Sequence, residues 1–451
     1  KVSLREALAS ARETRALEIG PGALERSPSI FRELFPDRAA VIVSDAVTQT
    51  IAGERVSSLF QRAGVPRVAP FVFLGPFHAE HRFAVELERA LKPHNAIPVA
   101  VGAGAVTDVV KLAAHLANRP CVSVATAASM DGYTAFGASL TLHGAKQKFD
   151  CPAPAAVIAD IEILRAAPES MTASGYADLM AKVTAGADWI LADALEIEPM
   201  DPQAWNIIQG GLREALSNPA GTRQREEKAV FQLTEGLMLG GLAMQQARSS
   251  RPASGAEHQF SHLWDMQQHR HHGEAPSHGF QVAIGTLAVT ALYEQLLRQD
   301  FERLNVAHCC ELWPDEQGME AFVRRTFSGM DFAESSVKET LAKHLSRDAL
   351  RSQLELLRAV WPELSLRLSE HLMPFEKIKS HLEAAGAPIE PEQIGISRQR
   401  LRESFVQACC IRRRFTVLDL AMRTQTMESS LNSLFEPGGL WATHQASAPR
   451  C

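Results

Sequence analysis

The chain has 451 residues, of which 46% are hydrophobic and 22% are charged, a composition typical of a globular protein with a large core and two domains. Its net charge of -6 at pH 7 argues against nucleic acid or an anionic membrane surface as a partner. No apolar run approaches the roughly 20 residues of a membrane span, and the N-terminal stretch lacks the apolar core of a signal peptide. We therefore predict a cytoplasmic protein.

Cysteine usage agrees with that location. The chain has 7 cysteines, an odd number, and they include two adjacent pairs but no C-x-x-C motif. This pattern favours reduced thiols over a disulfide framework. We predict that the cysteines are packing residues.

Short apolar strands alternate with helical stretches in the first third of the chain. Unbroken Val, Ile and Ala strands separated by helices predict a parallel sheet that is covered on both faces. We therefore expect a Rossmann-like α/β domain over residues 1–165. Its predicted strands lie at 39–45, 67–74, 96–102, 121–126 and 155–164, and its predicted helices at 50–64, 79–93 and 107–118.

The strand pattern stops after Ala166. Apolar residues then recur at a spacing of three to four residues, which is typical of amphipathic helices, in 176–196, 228–247 and 278–299. The sequence therefore predicts an all-α domain over residues 166–451, with an active-site cleft between the two domains.

The first chemical motif is "VGAGAVTDVVK" at 101–111, where Gly102 and Gly104 follow a predicted strand and precede a helix. Small residues at such a turn let the backbone approach a pyrophosphate, whose charge the helix N-terminus binds. A simple tight turn explains the motif equally well. Asp45, which ends the 39–45 strand, is a candidate ligand of an adenosine ribose or a helix N-cap.

A second polar motif, "TAASMDGYTAFGA", follows the predicted strand at 121–126. Parallel α/β sheets hold their ligands at the carboxyl ends of the strands. Thr126, Ser129 and Asp131 are therefore candidate ligand contacts. A turn at Asp131-Gly132 is the alternative interpretation.

Histidines cluster later in the chain, where six of the 16 lie between His258 and His278. His258 and His262 are four residues apart, so they share one face of a helix, and His278 begins another predicted helix. With Asp178, two of these imidazoles make a ligand set that suits Zn²⁺, Fe²⁺ or Ni²⁺ and leaves positions open for substrate. The remaining histidines, His269, His271 and His272, are interpreted as solvated loop residues.

Taken together, these segments resemble the sn-glycerol-1-phosphate dehydrogenase family, in its bacterial branch, within the iron-containing alcohol dehydrogenase and dehydroquinate synthase superfamily. The resemblance spans about residues 35 to 300. It is carried above all by "TAASMDGYT" and "GAEHQFSH", and also by "GAGAVTDVVK" and "SGYADLMAK".

The resemblance implies a role for each matching residue. It implies cofactor contacts at Gly102, Ala103, Gly104, Ala105, Val106, Thr126 and Ser129, substrate contacts at Asp131, Asp178 and His262, and metal ligands at Asp178, His258 and His278. His262 and Asp178 are then the candidate catalytic residues. Two positions depart from the family: Ala103 replaces a glycine of many members, and Ala135 replaces a serine that contacts the cofactor.

The implied reaction is the reduction of dihydroxyacetone phosphate to sn-glycerol 1-phosphate by NADH or NADPH, with one divalent metal ion as Lewis acid. Zn²⁺ is the expected metal, with Ni²⁺ and Fe²⁺ as alternatives. Asp45 alone favours NAD over NADP. Lys182, one helical turn after Asp178, is a further candidate for binding phosphate, although we interpret it as a solvated lysine.

Two other functions remain open at this point. One is a different enzyme of the same superfamily, either a dehydroquinate synthase or a glycerol dehydrogenase that acts on an unphosphorylated polyol. The synthase is expected to have a Glu in place of Asp178 and a lysine-rich phosphate site. The other is a non-catalytic nucleotide- or metal-binding homologue. The resemblance and the many apolar helices also predict a homodimer.

Overall fold

The computed structural model describes residues 2–143 and 145–442, and the chain forms two compact units. Each unit combines segments that are distant in sequence. The first unit is Lys1–Leu179 with Asp201–Ala253 and Ala384–Ala387, and the second is Met180–Met200 with Ser254–Glu383 and Pro388–Cys451.

A six-stranded sheet with only parallel pairings forms the centre of the first unit, in the order β1-β8-β5-β4-β2-β3. A separate antiparallel hairpin, β6-β7, lies between β5 and β8 in sequence. The strands are β1 Ala16–Gly20, β2 Ala40–Asp45, β3 Phe71–Phe73, β4 Ile97–Gly102, β5 Val122–Ala125, β6 Ala138–Leu142, β7 Ala145–Phe149 and β8 Ala156–Asp160.

Both faces of this sheet are buried, as the continuous apolar strands predict. Successive residues of a strand point to opposite faces, so Val99 and Val101 of β4 pack in one core while Ala100 packs in the other. The prediction of a parallel sheet covered on both faces is therefore confirmed.

Helices make up most of the remaining chain. In order they are α1 Leu4–Ser10, α2 Ser27–Leu34, α3 Ala46–Thr48, α4 Glu54–Arg62, α5 His81–Leu91, α6 Gly104–Leu116, α7 Ile161–Ala166, α8 Glu169–Met180, α9 Lys182–Ala194, α10 Pro202–Gln209, α11 Leu212–Ala215 and α12 Pro219–Arg223. They continue as α13 Glu227–Ala247, α14 Ala256–Met266, α15 His278–Leu296, α16 Val306–Leu312, α17 Glu316–Thr326, α18 Ala333–Leu341, α19 Arg347–His371, α20 Phe375–Ala384, α21 Arg398–Cys410, α22 Val417–Arg423 and α23 Met427–Phe435. The predicted helical character of the C-terminal part is confirmed.

Several element boundaries differ from the sequence-based expectation. The strand predicted at 155–164 ends at Asp160, whose carboxylate accepts the backbone N–H of Glu162 and so caps α7. The helix predicted at 176–196 is two helices, α8 and α9, separated at Ala181. The strand β1 and the hairpin β6-β7 were not expected, because β1 is a half-buried edge strand and the hairpin is rich in polar residues.

The cysteines confirm the prediction that they pack in the protein interior. Six of them are buried free thiols: Cys121, Cys151, Cys309, Cys310, Cys409 and Cys410. Burial raises the pKa of Cys121 to about 12, so its thiol stays protonated and unreactive at neutral pH. Cys451 lies outside the described residues.

The second unit is built around α15, which is buried on nearly all sides and packs against α14. Gly285 of α15 allows this close packing, because a Cβ atom there would lie 2.4 Å from the carbonyl oxygen of Glu257. Over the residues described, we find no helix with the length and hydropathy that crossing a bilayer demands.

Candidate functional site

The glycine-rich turn at 102–106 joins β4 to α6. Gly102 ends the strand, Ala103 is the N-cap and Gly104 begins the helix, whose N-terminus has no hydrogen bond from an N-cap side chain. The first N–H groups of a helix find no partner within it and favour an anion. The turn, which also includes Ala105 and Val106, therefore has the form of a phosphate-binding loop, and its contacts with a cofactor stay a prediction.

Asp45 caps a helix in the structure. Its Oδ1 accepts hydrogen bonds of 2.8 Å from the backbone N–H groups of Val47 and Thr48. The N-cap alternative for Asp45 therefore describes its local role, and its contact with a ribose remains a prediction.

The polar segment after β5 is held beside the glycine-rich turn. The backbone N–H of Thr126 donates to the carbonyl of Gly102 at 3.2 Å, and the hydroxyl of Tyr133 donates to the carbonyl of Ala127 at 2.7 Å. The backbone N–H of Asp131 donates to Oδ2 of Asp178 at 3.0 Å. Two of the sequence-predicted site residues, Asp131 and Asp178, are thus directly connected.

Helix α8 reaches this segment through a close backbone contact at Gly175. A Cβ atom at this position would lie 1.9 Å from the carbonyl oxygen of Ala128, so the packing accepts only glycine. The hydroxyl of Ser174 also donates to the carbonyl of Ser129, at 3.4 Å. The middle of α8 and residues 126–131 therefore form one packed structure.

Lys111 organises the following loop, a role that the sequence reasoning missed. Its buried ammonium group donates to the carbonyls of Gly132, Ala135 and Gly137 and pairs with Asp108 at 2.9 Å. Burial alone would lower the pKa of Lys111, but the Asp108 carboxylate and nearby cysteines outweigh it and raise that pKa. The signal in the sequence is a single lysine in the apolar run "VVKLAA".

Three histidines of the second unit form a compact triangle on α14 and at the start of α15. The ring centroids of His258 and His278 are 5.2 Å apart, and His262 lies 6.3 Å from each of them. His258 is buried, while His262 and His278 are half-buried. The helical spacing predicted that His258 and His262 share a face, and the structure adds His278 to the same group.

Two further side chains orient these rings. Nδ1 of His258 donates to the carboxylate of Glu257 at 2.7 Å, and Nδ1 of His278 lies 3.1 Å from the hydroxyl of Ser261. Burial alone would raise the pKa of Glu257, but its hydrogen bonds with His258, Gly255 and Thr184 outweigh this and hold that pKa below its ordinary value. The sequence reasoning missed both Glu257 and Ser261.

Asp178, His258 and His278 are a group that fits a metal ion. Each residue offers one ligand atom, and these atoms all lie within 4.8 Å of one another. Two imidazoles and a carboxylate are the ligand type of catalytic zinc sites, which keep a position open for substrate. With Nδ1 of each histidine facing Glu257 or Ser261, Nε2 is the ring nitrogen suited to a metal. The donor set therefore fits a divalent cation.

The expectation that Lys182 and His269 are solvated was wrong. Lys182 is fully buried instead of solvated. His269 is also buried: its Nδ1 accepts from Arg400 at 2.8 Å and its Nε2 donates to the carbonyl of Ile394 at 2.6 Å. The half-buried His271 and exposed His272 are closer to the expected solvated loop.

The known proteins to which this chain is similar agree with one another. The sequence model of the iron-containing alcohol dehydrogenase family matches residues 18–168. The glycerol-1-phosphate dehydrogenase [NAD(P)+] of Bacillus licheniformis is 31% identical over 344 residues, which cover 74% of this chain and 86% of the relative. The protein of the same name from Methanosarcina barkeri is 35% identical over 282 residues, which cover 62% of this chain and 76% of the relative.

A solved structure shares the fold. The crystal structure of glycerol dehydrogenase from Schizosaccharomyces pombe superposes with a TM-score of 0.60 at 16% sequence identity, and the match covers 93% of this chain and 90% of that one. At this identity the likeness concerns the fold alone.

Proposed function

This chain belongs to the glycerol-1-phosphate dehydrogenase family of iron-containing alcohol dehydrogenases, and we propose that it reduces dihydroxyacetone phosphate to sn-glycerol 1-phosphate with NADH or NADPH. The observation that supports this most is the group of Asp178, His258 and His278, whose ligand atoms lie within 4.8 Å of one another. A ketone reductase of this kind needs a Lewis acid beside the substrate carbonyl.

Asp178 and Nε2 of His258 and His278 would hold the metal ion, for which Zn²⁺ is our first choice and Ni²⁺ or Fe²⁺ are alternatives. When bound, the ion supplies Lewis acidity toward the ketone oxygen, and the nicotinamide supplies the hydride. Asp178 would be oriented by the N–H of Asp131, which donates to its Oδ2 at 3.0 Å. The two oxygens of the Asp178 carboxylate would therefore have different tasks.

The cofactor would lie along the start of α6. The N–H groups of the turn that begins at Gly102 bind the pyrophosphate charge, and Thr126 and Ser129 orient the nicotinamide ring. Lys111 keeps the neighbouring loop in place through three carbonyls. It also holds the carbonyl of Ala135, the position where the family's cofactor-contacting serine is absent.

The substrate would contact Asp131 and His262. Reduction of the ketone consumes one hydride and one proton, so a residue near the new hydroxyl must deliver the proton. His262 suits this task because its ring lies within 6.3 Å of both His258 and His278, and its half-buried side chain can exchange protons with solvent. Asp131 accepts hydrogen bonds from the substrate hydroxyls.

The test is a direct assay of the purified, metal-loaded protein. We expect NADH absorbance to fall on addition of dihydroxyacetone phosphate and to change far less with unphosphorylated dihydroxyacetone. Chiral analysis of the product should give the 1-phosphate. A preference for the unphosphorylated ketone, or formation of the 3-phosphate, would overturn the proposal. The homodimer and the cytoplasmic location stay predictions.

A further inference from the structure

Glu257 has a buried carboxylate group, and both of its oxygens accept hydrogen bonds. Its Oε1 accepts from Nδ1 of His258 at 2.7 Å and from the backbone N–H of Gly255 at 2.6 Å. Its Oε2 accepts from the hydroxyl of Thr184 at 2.8 Å. With 0% exposure the side chain has one well-defined position, so the ring of His258 is held in one orientation.

This contact decides which nitrogen of His258 is protonated. An ionised carboxylate only accepts hydrogen bonds, so Nδ1 carries the hydrogen and Nε2 carries the lone pair. A negatively charged partner also makes the imidazole a stronger donor to a cation. The orientation, the tautomer and the basicity of His258 are therefore all set by one neighbour.

His278 has a weaker partner. Its Nδ1 faces the hydroxyl of Ser261 at 3.1 Å, a neutral group that can donate or accept. The two imidazoles therefore differ, since His258 has a charged partner and His278 a neutral one. Together with Asp178, Glu257 would give the proposed metal site two negative charges, which match the charge of a divalent ion.

From these contacts we infer that Glu257 is a positioning residue that fixes the ring of His258 for the metal and adds a second negative charge to the proposed site. The inference rests on the proposed metal site, although the contacts of Glu257 all lie within the second unit. Ser261 has the corresponding but smaller role for His278.

The chain offers a matched control in Asp188. This carboxylate is also fully buried and also accepts a backbone N–H at the start of α14, that of Ala256 at 2.7 Å. Its other oxygen accepts from the hydroxyl of Tyr293 at 2.6 Å. Asp188 therefore also holds the start of α14, through a backbone N–H and a tyrosine hydroxyl, where Glu257 accepts from a backbone N–H and from an imidazole.

The experiment measures the affinity of the full-length apoprotein for Zn²⁺ by competition with a chromophoric chelator. Glu257→Gln keeps the shape of the side chain and removes its charge, and we expect it to weaken Zn²⁺ binding about 10- to 100-fold. Ser261→Ala should weaken binding less than about 10-fold. Asp188→Asn should lower the unfolding temperature while Zn²⁺ affinity stays close to that of wild type.

A second substitution covers the case in which Glu257→Gln does not fold. Thr184→Val removes one anchor of Glu257 and keeps its charge, so it should weaken Zn²⁺ binding by a smaller factor than Glu257→Gln. Unchanged Zn²⁺ affinity in a folded Glu257→Gln protein would overturn the inference, and so would an equal loss in Asp188→Asn. Those outcomes leave the proposed reaction standing, whereas wild-type protein that binds no divalent ion would contradict both.

Discussion

Replacing Gly175 by alanine tests whether the packing of α8 sets the geometry of the site. The added methyl group would lie 1.9 Å from the carbonyl oxygen of Ala128. Since a carbon–oxygen contact is comfortable at roughly 3.3 Å, the helix and the segment must separate by roughly 1.4 Å. The obstacle is backbone, so no change of side-chain rotamer relieves it.

The consequence should be loss of both stability and activity. Overpacking of a buried contact costs about 1–3 kcal/mol of unfolding free energy. Asp178 lies one helical turn after Gly175 on the same face, and its hydrogen bond of 3.0 Å from the N–H of Asp131 cannot survive such a shift. A displacement on the order of 1 Å near reacting groups lowers kcat/KM roughly 100-fold.

Urea unfolding and steady-state kinetics measure the two effects. The control is Gly236→Ala, where the new methyl group would lie 2.9 Å from Cδ2 of Leu179, the end of a flexible side chain that can move aside. We expect this control to cost less than about 1 kcal/mol and to keep most of the activity. If Gly175→Ala behaves like Gly236→Ala, the packing of α8 does not determine the site.

Three further predictions concern single residues. Lys111→Met should lower the unfolding free energy by about 3 kcal/mol, because it removes the ion-pair partner of the half-buried Asp108 carboxylate and the donor to three carbonyls, and should raise KM for NADH; an unchanged urea midpoint would count against the role of Lys111. His278→Ala should remove the metal and leave the helical circular dichroism intact; metal analysis that finds a full complement in this variant would mean that His278 is not a ligand. Burial, foremost, lowers the pKa of His269 below its ordinary value of 6.5, so the folded protein binds this proton less readily than the unfolded chain. Unfolding free energy should therefore fall as pH drops below about 6.5. Urea unfolding of wild type and of His269→Gln at about pH 7.5 and about pH 5.5 measures this fall. The fall should be smaller in His269→Gln, and an equal fall in both proteins would contradict the argument.

The fold of the first unit was largely predictable, because continuous Val, Ile and Ala runs such as β2 and β4 have few alternatives to buried parallel strands. The elements that were missed lack this signal. β1 is a half-buried edge strand with a glutamate at its centre, and the hairpin β6-β7 is rich in polar residues. The break at Ala181 was also invisible, since the apolar pattern continues through it.

The candidate site was also only partly predictable from the sequence. Helical spacing predicted that His258 and His262 share a face, but the position of His278 depends on how α15 packs against α14, which Gly285 permits. The supporting residues were missed for a different reason. Lys111 and Glu257 act through buried hydrogen bonds to backbone carbonyls or to a histidine, and the sequence of a helix does not reveal the partners of its buried polar residues.

X-ray absorption spectroscopy of the metal-loaded protein tests the central claim most directly. For Zn²⁺ held by Asp178, His258 and His278, the spectrum should show nitrogen and oxygen ligands at about 2.0–2.2 Å and the outer-shell scattering of two imidazoles. The His278→Ala protein, which should not retain the metal, should not give this two-imidazole spectrum. A spectrum with sulfur ligands, or with no imidazole at all, would contradict the account.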